Sequence, residues 1–281
     1  MTVVSSPVPV GERRFELVAS EGTAICARLR GRGPIPGLFI ADAIELDVGS
    51  DPVAAHRAFA RAFALACVPS GEGAGTSRPG EILVIETPES IVWRDALREA
   101  GFRETMRKVF VERRLDDALP MGPAPALDDW RLRSLAGAGE HAFNARMAAA
   151  SEGDPFEERR SGERDLEREW LDLVESAGTR FDPTRWWLVD DARGPIGVVL
   201  PQRVNESTGT LFYVGVVPSR RGAGLGRRLH ALGLALLARD GARRYVGSTD
   251  VRNAAMRAVF ERNGAPVTGT EAYFRAEVPP A

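Results

Sequence analysis

The chain has 281 residues, 44% of them hydrophobic and 27% charged, which is the make-up of a globular protein of one or two domains. Its 37 basic and 39 acidic residues leave a net charge of −2, without the basic excess of a dedicated nucleic-acid binder. No apolar run approaches the ~20 residues of a membrane span, and the start of the chain lacks a basic segment followed by an apolar one, so a cytoplasmic location is expected. Cys26 and Cys67 match no metal spacing and read as small buried hydrophobes; no metal is expected. Lys108 is the single lysine among the basic residues, a skew read as genome composition and not as phosphate chemistry.

In chain order, Arg30 to Gly37 and Pro69 to Gly80 read as glycine- and proline-rich loops. Between them, Leu38 to Val48 is strand-like. Asp51 to Cys67 is a helix with Asp51 or Ser50 as N-cap and Pro52 at its first position. Glu81 to Glu86 reads as a strand, Ser90 to Ala100 as a helix closed by Gly101, and Lys108 to Arg113 as a strand. Pro120 to Pro125 separates two well-patterned halves and reads as a linker. The expected division is residues 1–120, a linker at 121–127, and 128–281. In the second part Trp130 to Leu135 alternates like a strand and Glu140 to Ala150 is helical. Glu152 to Arg164 is highly charged and reads as an exposed loop or helix start, in which Asp154, Glu157, Glu158 and Glu163 read as a solvated face, balanced by Arg159, Arg160 and Arg164, or as an attraction for a cationic amine. Leu166 to Val174 recurs at helical spacing. Arg185 to Val189 and Ile196 to Leu200 form a hairpin. Then come strand Leu211 to Val217, helix Gly224 to Arg239, strand Arg244 to Ser248, helix Ala254 to Asn263 closed by Gly264, and strand Val267 to Val278. The fold class is α/β, a mixed sheet flanked by helices. The strand-helix-strand-helix-strand order of the first half returns at the end of the second, which suggests a degenerate internal repeat.

Val216 to Leu229 reads V-V-P-S-R-R-G-A-G-L-G-R-R-L, a strand stopped by proline and a glycine loop entering a helix. The first N–H groups of a helix lack intrahelical partners, and the dipole adds partial positive charge there. Gly222, Gly224 and Gly226 open the backbone to a ligand, and Arg220, Arg221, Arg227 and Arg228 add charge, so the segment reads as an anion site suited to a pyrophosphate. Composition alone would produce R-x-x-G-x-G about 0.4 times in this chain, so it is the strand-to-helix context that makes the motif informative. The glycine spacing is not that of a dinucleotide fingerprint, and no Lys-Ser/Thr pair follows as in a P-loop.

Arg221-Gly222-Ala223-Gly224-Leu225-Gly226 resembles the acyl-CoA loop, R/Q-x-x-G-x-G/A, of the GCN5-related N-acetyltransferase (GNAT) superfamily. Asn253-Ala254-Ala255-Met256, Phe260 and Gly264 are similar to the family's next element. The resemblance covers about residues 128 to 278 and implies a GNAT-like acyl-CoA acyltransferase fold, with the N-terminal half a partial copy. It also implies acetyl-CoA as cosubstrate, held by Val216, Val217, Arg221, Gly222, Ala223, Gly224, Leu225, Gly226, Arg227, Asn253 and Phe260. Pantetheine would enter a V-shaped opening between strands 211–217 and 244–248, pairing with the backbone near Gly215 to Val217. A backbone N–H at Val216 or Val217 would polarise the thioester oxygen.

Two positions depart from the family pattern. Phe260 stands where a tyrosine often protonates the leaving thiolate, and a phenyl ring donates no proton. The strand before the loop lacks the glutamate often used as base; Glu206 just upstream is the nearest candidate, and Tyr213, Tyr245, Ser248 and Asp250 are substitutes. Tyr213 and Tyr245 read equally as core aromatics, and Asp250 as support for the turn before Asn253. His230 is open to either reading; His56 and His141 read as surface residues. Trp186 and Trp187, adjacent in a strand, should face opposite sides of the sheet.

The expected function is direct transfer of an acetyl group to an amine of a small molecule or peptide; the alternative is a CoA-binding sensor or scaffold with little chemistry. A homodimer is left open. In the first half Val48-Gly49-Ser50-Asp51-Pro52 puts an acid where phosphate would sit, so that half is not expected to bind CoA. Its expected use is as a wall for the acceptor, with residues 121–281 holding the coenzyme by themselves.

Overall fold

The structure, a computed structural model, describes residues 2–6, 14–32, 38–67, 81–85, 90–115, 129–154 and 166–276. The described elements, in chain order, are β1 (Thr2–Ser6), β2 (Arg14–Glu21), β3 (Ala24–Arg32), β4 (Leu38–Leu46), α1 (Pro52–Cys67), β5 (Glu81–Ile85), α2 (Ser90–Glu99), β6 (Phe102–Arg114), β7 (Arg131–Ser134), α3 (Leu135–Ala138), α4 (Glu140–Ser151), α5 (Leu166–Ala177), β8 (Trp187–Asp191), β9 (Gly194–Arg203), β10 (Thr208–Val216), α6 (Leu225–Arg239), β11 (Arg244–Asp250), α7 (Ala254–Arg262) and β12 (Val267–Ala276). The α/β class with a mixed sheet is therefore observed. The linker at 120–125, the loop at 69–80 and the acidic residues Glu157, Glu158 and Glu163 fall outside the described residues.

The chain divides into two compact units, residues 1–109 with 269–281, and residues 110–268. The break differs from the one the composition suggests, because each unit includes a strand segment from the far part of the sequence. In the first unit β5 pairs antiparallel with Glu271 to Arg275 of β12. In the second, residues 110–115 join the sheet: the Leu115 N–H donates to Arg243 O (2.9 Å) and the Glu112 N–H to Pro266 O (3.3 Å). Val111, buried among Leu234, Leu237, Tyr245 and Phe260, belongs to that unit's core. A fragment starting at 121 would lose this strand, which belongs to the second unit.

The first unit orders its strands β1-β2-β3-β4-β5, with β4 and β5 parallel and the others antiparallel. The second orders them β7-β8-β9-β10-β11, with β10 and β11 parallel. Even a bulge repeats. One extra residue enters β4 between Ala41 and Ala43, and one enters β10 between Leu211 and Val214. The first copy starts earlier than the sequence pattern suggests, since Arg30 to Arg32, read as loop, lie in β3.

What differs is the cover on the sheet. In the second unit α6 packs on one face with Trp187, Val199 and Val214, and α4 and α5 pack on the other with Trp186, Leu188 and Val198. The adjacent tryptophans do face opposite sides. In the first unit α1 and α2 bury Ala27, Leu29, Ile82 and Phe274, and among the described residues no helix corresponds to α4 and α5. The alternate positions of that sheet carry the ion pairs Arg28–Glu16 (3.2 Å), Arg30–Glu16 (3.4 Å) and Arg30–Glu45 (3.0 Å).

Candidate active site

The second unit's opening begins at a short parallel pairing. β10 and β11 register only at Thr208↔Arg244 and Gly209↔Tyr245 and are unpaired beyond, so the strands separate toward Val216. The bulge at 211–214 adds twist where they part. Gly215 lies in this stretch, and the close approach expected there is made from within the chain: a Cβ would lie 2.5 Å from the Tyr213 ring and 2.9 Å from Ala150 Cβ.

The ladder decides which backbone groups face the opening. The Val217 N–H donates to Ile196 O (3.0 Å) on β9, so Val217 is not the oxyanion donor. Groups alternate along an antiparallel strand, so the N–H and C=O of Val216 and of Val214 point away from β9, toward the opening. Of the two residues, Val216 is the one whose N–H faces the opening.

Beyond Val216 the chain makes a 3-10 turn at Pro218–Arg220, and Gly224 then caps α6 at φ 74° with no side-chain hydrogen bond to the helix. Gly222 also has positive φ, 82°. A Cβ on either glycine would meet nothing within 4 Å, so backbone conformation, not crowding, requires glycine there. Gly226 is different: it has no positive φ, and a Cβ would meet Val216 Cγ2 at an ordinary 3.8 Å. The α6 N-terminus is thus bare and open on its outer side, with Ala223 and Leu225 completing the loop.

The four arginines are not equivalent. Arg220, largely buried, is held by Asp191 at 2.5 Å and acts as a strut; that hydrogen bond keeps the Asp191 carboxyl below its usual range. Arg228 lies over the Trp130 ring at 4.5 Å. Arg227 donates to Arg262 O (3.3 Å). Arg221 folds back, its Nε on Val216 O (3.0 Å) and Nη2 on Ala150 O (2.8 Å).

Several expected residues have other work. Glu206 is exposed, pairs with Arg180 (3.1 Å), and precedes β10, whose eight-residue rise to Val216 is about 26 Å; it cannot serve as base at that end. Phe260 is 2% exposed and packs edge-on to His230, so it lies in the core and not in the opening. Asn253 caps α7, accepting from the Met256 N–H (3.0 Å). Asp250 accepts from the Arg252 N–H (2.8 Å) and pairs with its guanidinium, bracing the same turn. Tyr245 is buried, and burial pushes its hydroxyl pKa up. His56, expected at the surface, is buried against Trp93. Tyr213 remains, its hydroxyl 3.0 Å from Ser151 Oγ at the end of α4.

A buried relay that sequence reasoning missed braces α6 from beneath. Asn263 Nδ2 donates to His230 Nδ1 (2.9 Å) and to Arg227 O (3.1 Å). With Nδ1 accepting, the proton sits on Nε2, which donates to the Tyr245 hydroxyl (3.1 Å). Arg113 Nη1 donates to Asn263 O. Burial, with Arg113 nearby, pushes the His230 pKa down to about 3, so the ring is neutral.

Residues 145–265 match the acetyltransferase (GNAT) family. The C-terminal part of the chain is a GNAT domain. Over 139 residues the chain is 36% identical to a mycothiol acetyltransferase of Beutenbergia cavernae, covering 48% of this chain and 44% of that protein, so it spans less than half of that relative's length. A GCN5-related N-acetyltransferase of Sphaerobacter thermophilus superposes with a TM-score of 0.61 at 18% identity over 98% of this chain and 84% of its own. A tandem GNAT protein from the clavulanic acid biosynthesis pathway gives 0.50 at 14% identity, covering 95% and 84%. At these identities the two structures speak to fold, and the GNAT fold with a partial N-terminal copy accords with the repeated strand order and bulge.

Proposed function

We propose that the chain is an acetyl-CoA-dependent N-acetyltransferase acting on an amine of a small molecule or peptide. The observation that carries this reading is the α6 N-terminus, capped by Gly224 without a side-chain hydrogen bond, inside the span that matches the GNAT family. The bare first turn of the helix and the open space over Gly222 and Gly224 suit a pyrophosphate. Residues 222 to 227 would hold that group, and the separated edge of β10 would hold the pantetheine arm. Acetyl-CoA would supply an activated acyl group.

The chain's own part is electrostatic and positional. The Val216 N–H faces the place where negative charge develops on the acyl oxygen, a contact of the oxyanion-hole kind. The amine nitrogen bonds to the acyl carbon as the C–S bond breaks, and its surplus proton passes to solvent, so no covalent enzyme intermediate forms. The departing sulfur takes a proton, and Tyr213, whose hydroxyl meets Ser151 Oγ in the free chain, is the hydroxyl best placed to donate it. The mycothiol acetyltransferase relative supports acetyl transfer as the reaction class.

A second reading, a coenzyme-binding protein without turnover, draws support from Phe260 and Glu206, neither of which is placed to move a proton at the opening. Calorimetry with acetyl-CoA, together with thiol release in a panel of primary amines, separates the two. Binding with release supports transfer; binding without release supports the sensor; no binding defeats both.

A further inference from the structure

Arg221 reads from the sequence as a coenzyme ligand, yet the structure gives it a different post. Its guanidinium joins three parts of the second unit: the loop that carries it, the β10 edge through Val216 O, and the C-terminal turn of α4 through Ala150 O. Its Nη1 also lies 3.7 Å from where a Cβ on Gly153 would stand. Its two hydrogen-bond partners are neutral carbonyls, whereas its neighbour Arg220 is bound to the Asp191 carboxylate. Hydrogen bonds from arginine to phosphate are stronger than those to neutral carbonyls.

The Ala150 carbonyl belongs to the last turn of α4, where carbonyls lack intrahelical partners, and a guanidinium there acts as a C-terminal cap. The next residue, Ser151, holds the Tyr213 hydroxyl. Val216 O is the acceptor on the strand edge that faces the opening. One side chain therefore occupies the edge expected to pair with pantetheine and ties down the turn that positions Tyr213.

We propose that Arg221 is a positioning residue with two stations. In the free chain it latches α4 to β10 through Ala150 O and Val216 O. With coenzyme present it moves to the pyrophosphate, clears the β10 edge and releases the end of α4 to take up the acceptor. The inference rests on the acetyl-CoA reading above and adds a coupling between the coenzyme loop and the acceptor-side helix.

The test uses the full chain, with amide hydrogen exchange at Glu152 and Asp154, whose N–H groups bond to Ala149 O and Ser151 O. Acetyl-CoA is expected to speed exchange there roughly fivefold or more in the wild type, as an unlatched turn frays. Arg221→Ala should show the fast exchange without ligand and no further change with it. Arg221→Lys keeps the charge without the fork, so it should retain more affinity than Arg221→Ala while losing the protection. The latch is overturned if acetyl-CoA binds and leaves exchange at 152 and 154 unchanged, or if free Arg221→Ala exchanges as slowly as the wild type. Failure of the wild type to bind acetyl-CoA, seen by calorimetry on the same sample, would instead remove the functional reading on which the latch depends.

Discussion

Two helices in this chain begin in the same topological place, and their first turns are built in opposite ways. Both α1 and α6 follow a bulged strand that pairs in parallel with the next one. At α1 the Asp51 carboxylate accepts from the Val53 N–H (2.9 Å), so the chain supplies its own anion. At α6 a left-handed glycine caps the helix and, among the described residues, no side-chain cap hydrogen bond is made. The strands differ in the same sense: β4 and β5 register over four pairs, β10 and β11 over two. Among the described residues the first unit has no counterparts of α4 and α5, and its sheet face carries Arg28, Arg30, Glu16 and Glu45. The fold can thus be kept while the ligand site is closed by one carboxylate and a tighter strand pair.

The largest expected effect concerns the exchanged strands. A chain cut to 121–281 removes residues 110–114 from the second unit and separates residues 269–276 from β5. Val111 alone represents about 1.5–3 kcal/mol of burial, and loss of Arg113 leaves Asn263 O without that donor. The fragment is expected to show no cooperative thermal transition, whereas the full chain should; a sharp transition in the fragment would restore the division at the linker.

Next is Tyr213. Phenylalanine keeps the ring over Gly215 and removes the hydroxyl, so Tyr213→Phe should lose roughly 10²-fold in turnover with little change in acetyl-CoA affinity. Undiminished turnover would leave proton transfer to solvent.

Much of this architecture is readable in the sequence, and the failures have physical causes. The order from Leu38 to Ala276 follows from periodicity and punctuation: Pro52 opens α1, Gly101 and Gly264 close α2 and α7, and both glycines have positive φ. β3 is missed because its end, Arg30 to Arg32, runs into a glycine-proline stretch. The unit boundary is missed because strand exchange is non-local and leaves no mark at residues 109 or 268. For the site, the glycine loop was visible because its chemistry is local. Glu206 misleads because nearness in sequence along a strand becomes about 26 Å in space. Phe260 and Val217 depend on facts no motif encodes, namely which helix face meets His230 and which way one N–H points in the ladder.

The relay beneath α6 gives a pH signature in the same direction as that of His56 in the first unit, whose pKa burial also lowers. Unfolded, His230 titrates near 6.5; folded, at about 3. The unfolded chain therefore binds more protons between those values, and stability contributed by keeping the ring neutral is full above about 6.5 and declines as pH falls toward 3. Melting from pH 7 to pH 4 should show this loss for the wild type and a shallower one for His230→Gln. Parallel curves would place the acid sensitivity elsewhere.

A smaller effect tests the other helix. Asp51→Ala removes the α1 cap and should cost about 1 kcal/mol, read as a modest drop in melting temperature, while acetyl-CoA affinity stays unchanged. A change in affinity would mean that the first unit takes part in coenzyme binding.

The comparison is tested most directly by placing the first unit's solution in the second. Gly226→Asp puts a carboxylate in the first turn of α6, where the helix dipole favours it by about 0.3–1 kcal/mol. The fold should be kept while acetyl-CoA is repelled. Isothermal calorimetry on the wild type should give one equivalent of acetyl-CoA, and on a folded Gly226→Asp chain no measurable binding. Two equivalents in the wild type, or unchanged affinity in the variant, would contradict the assignment of the coenzyme to the bare N-terminus of α6.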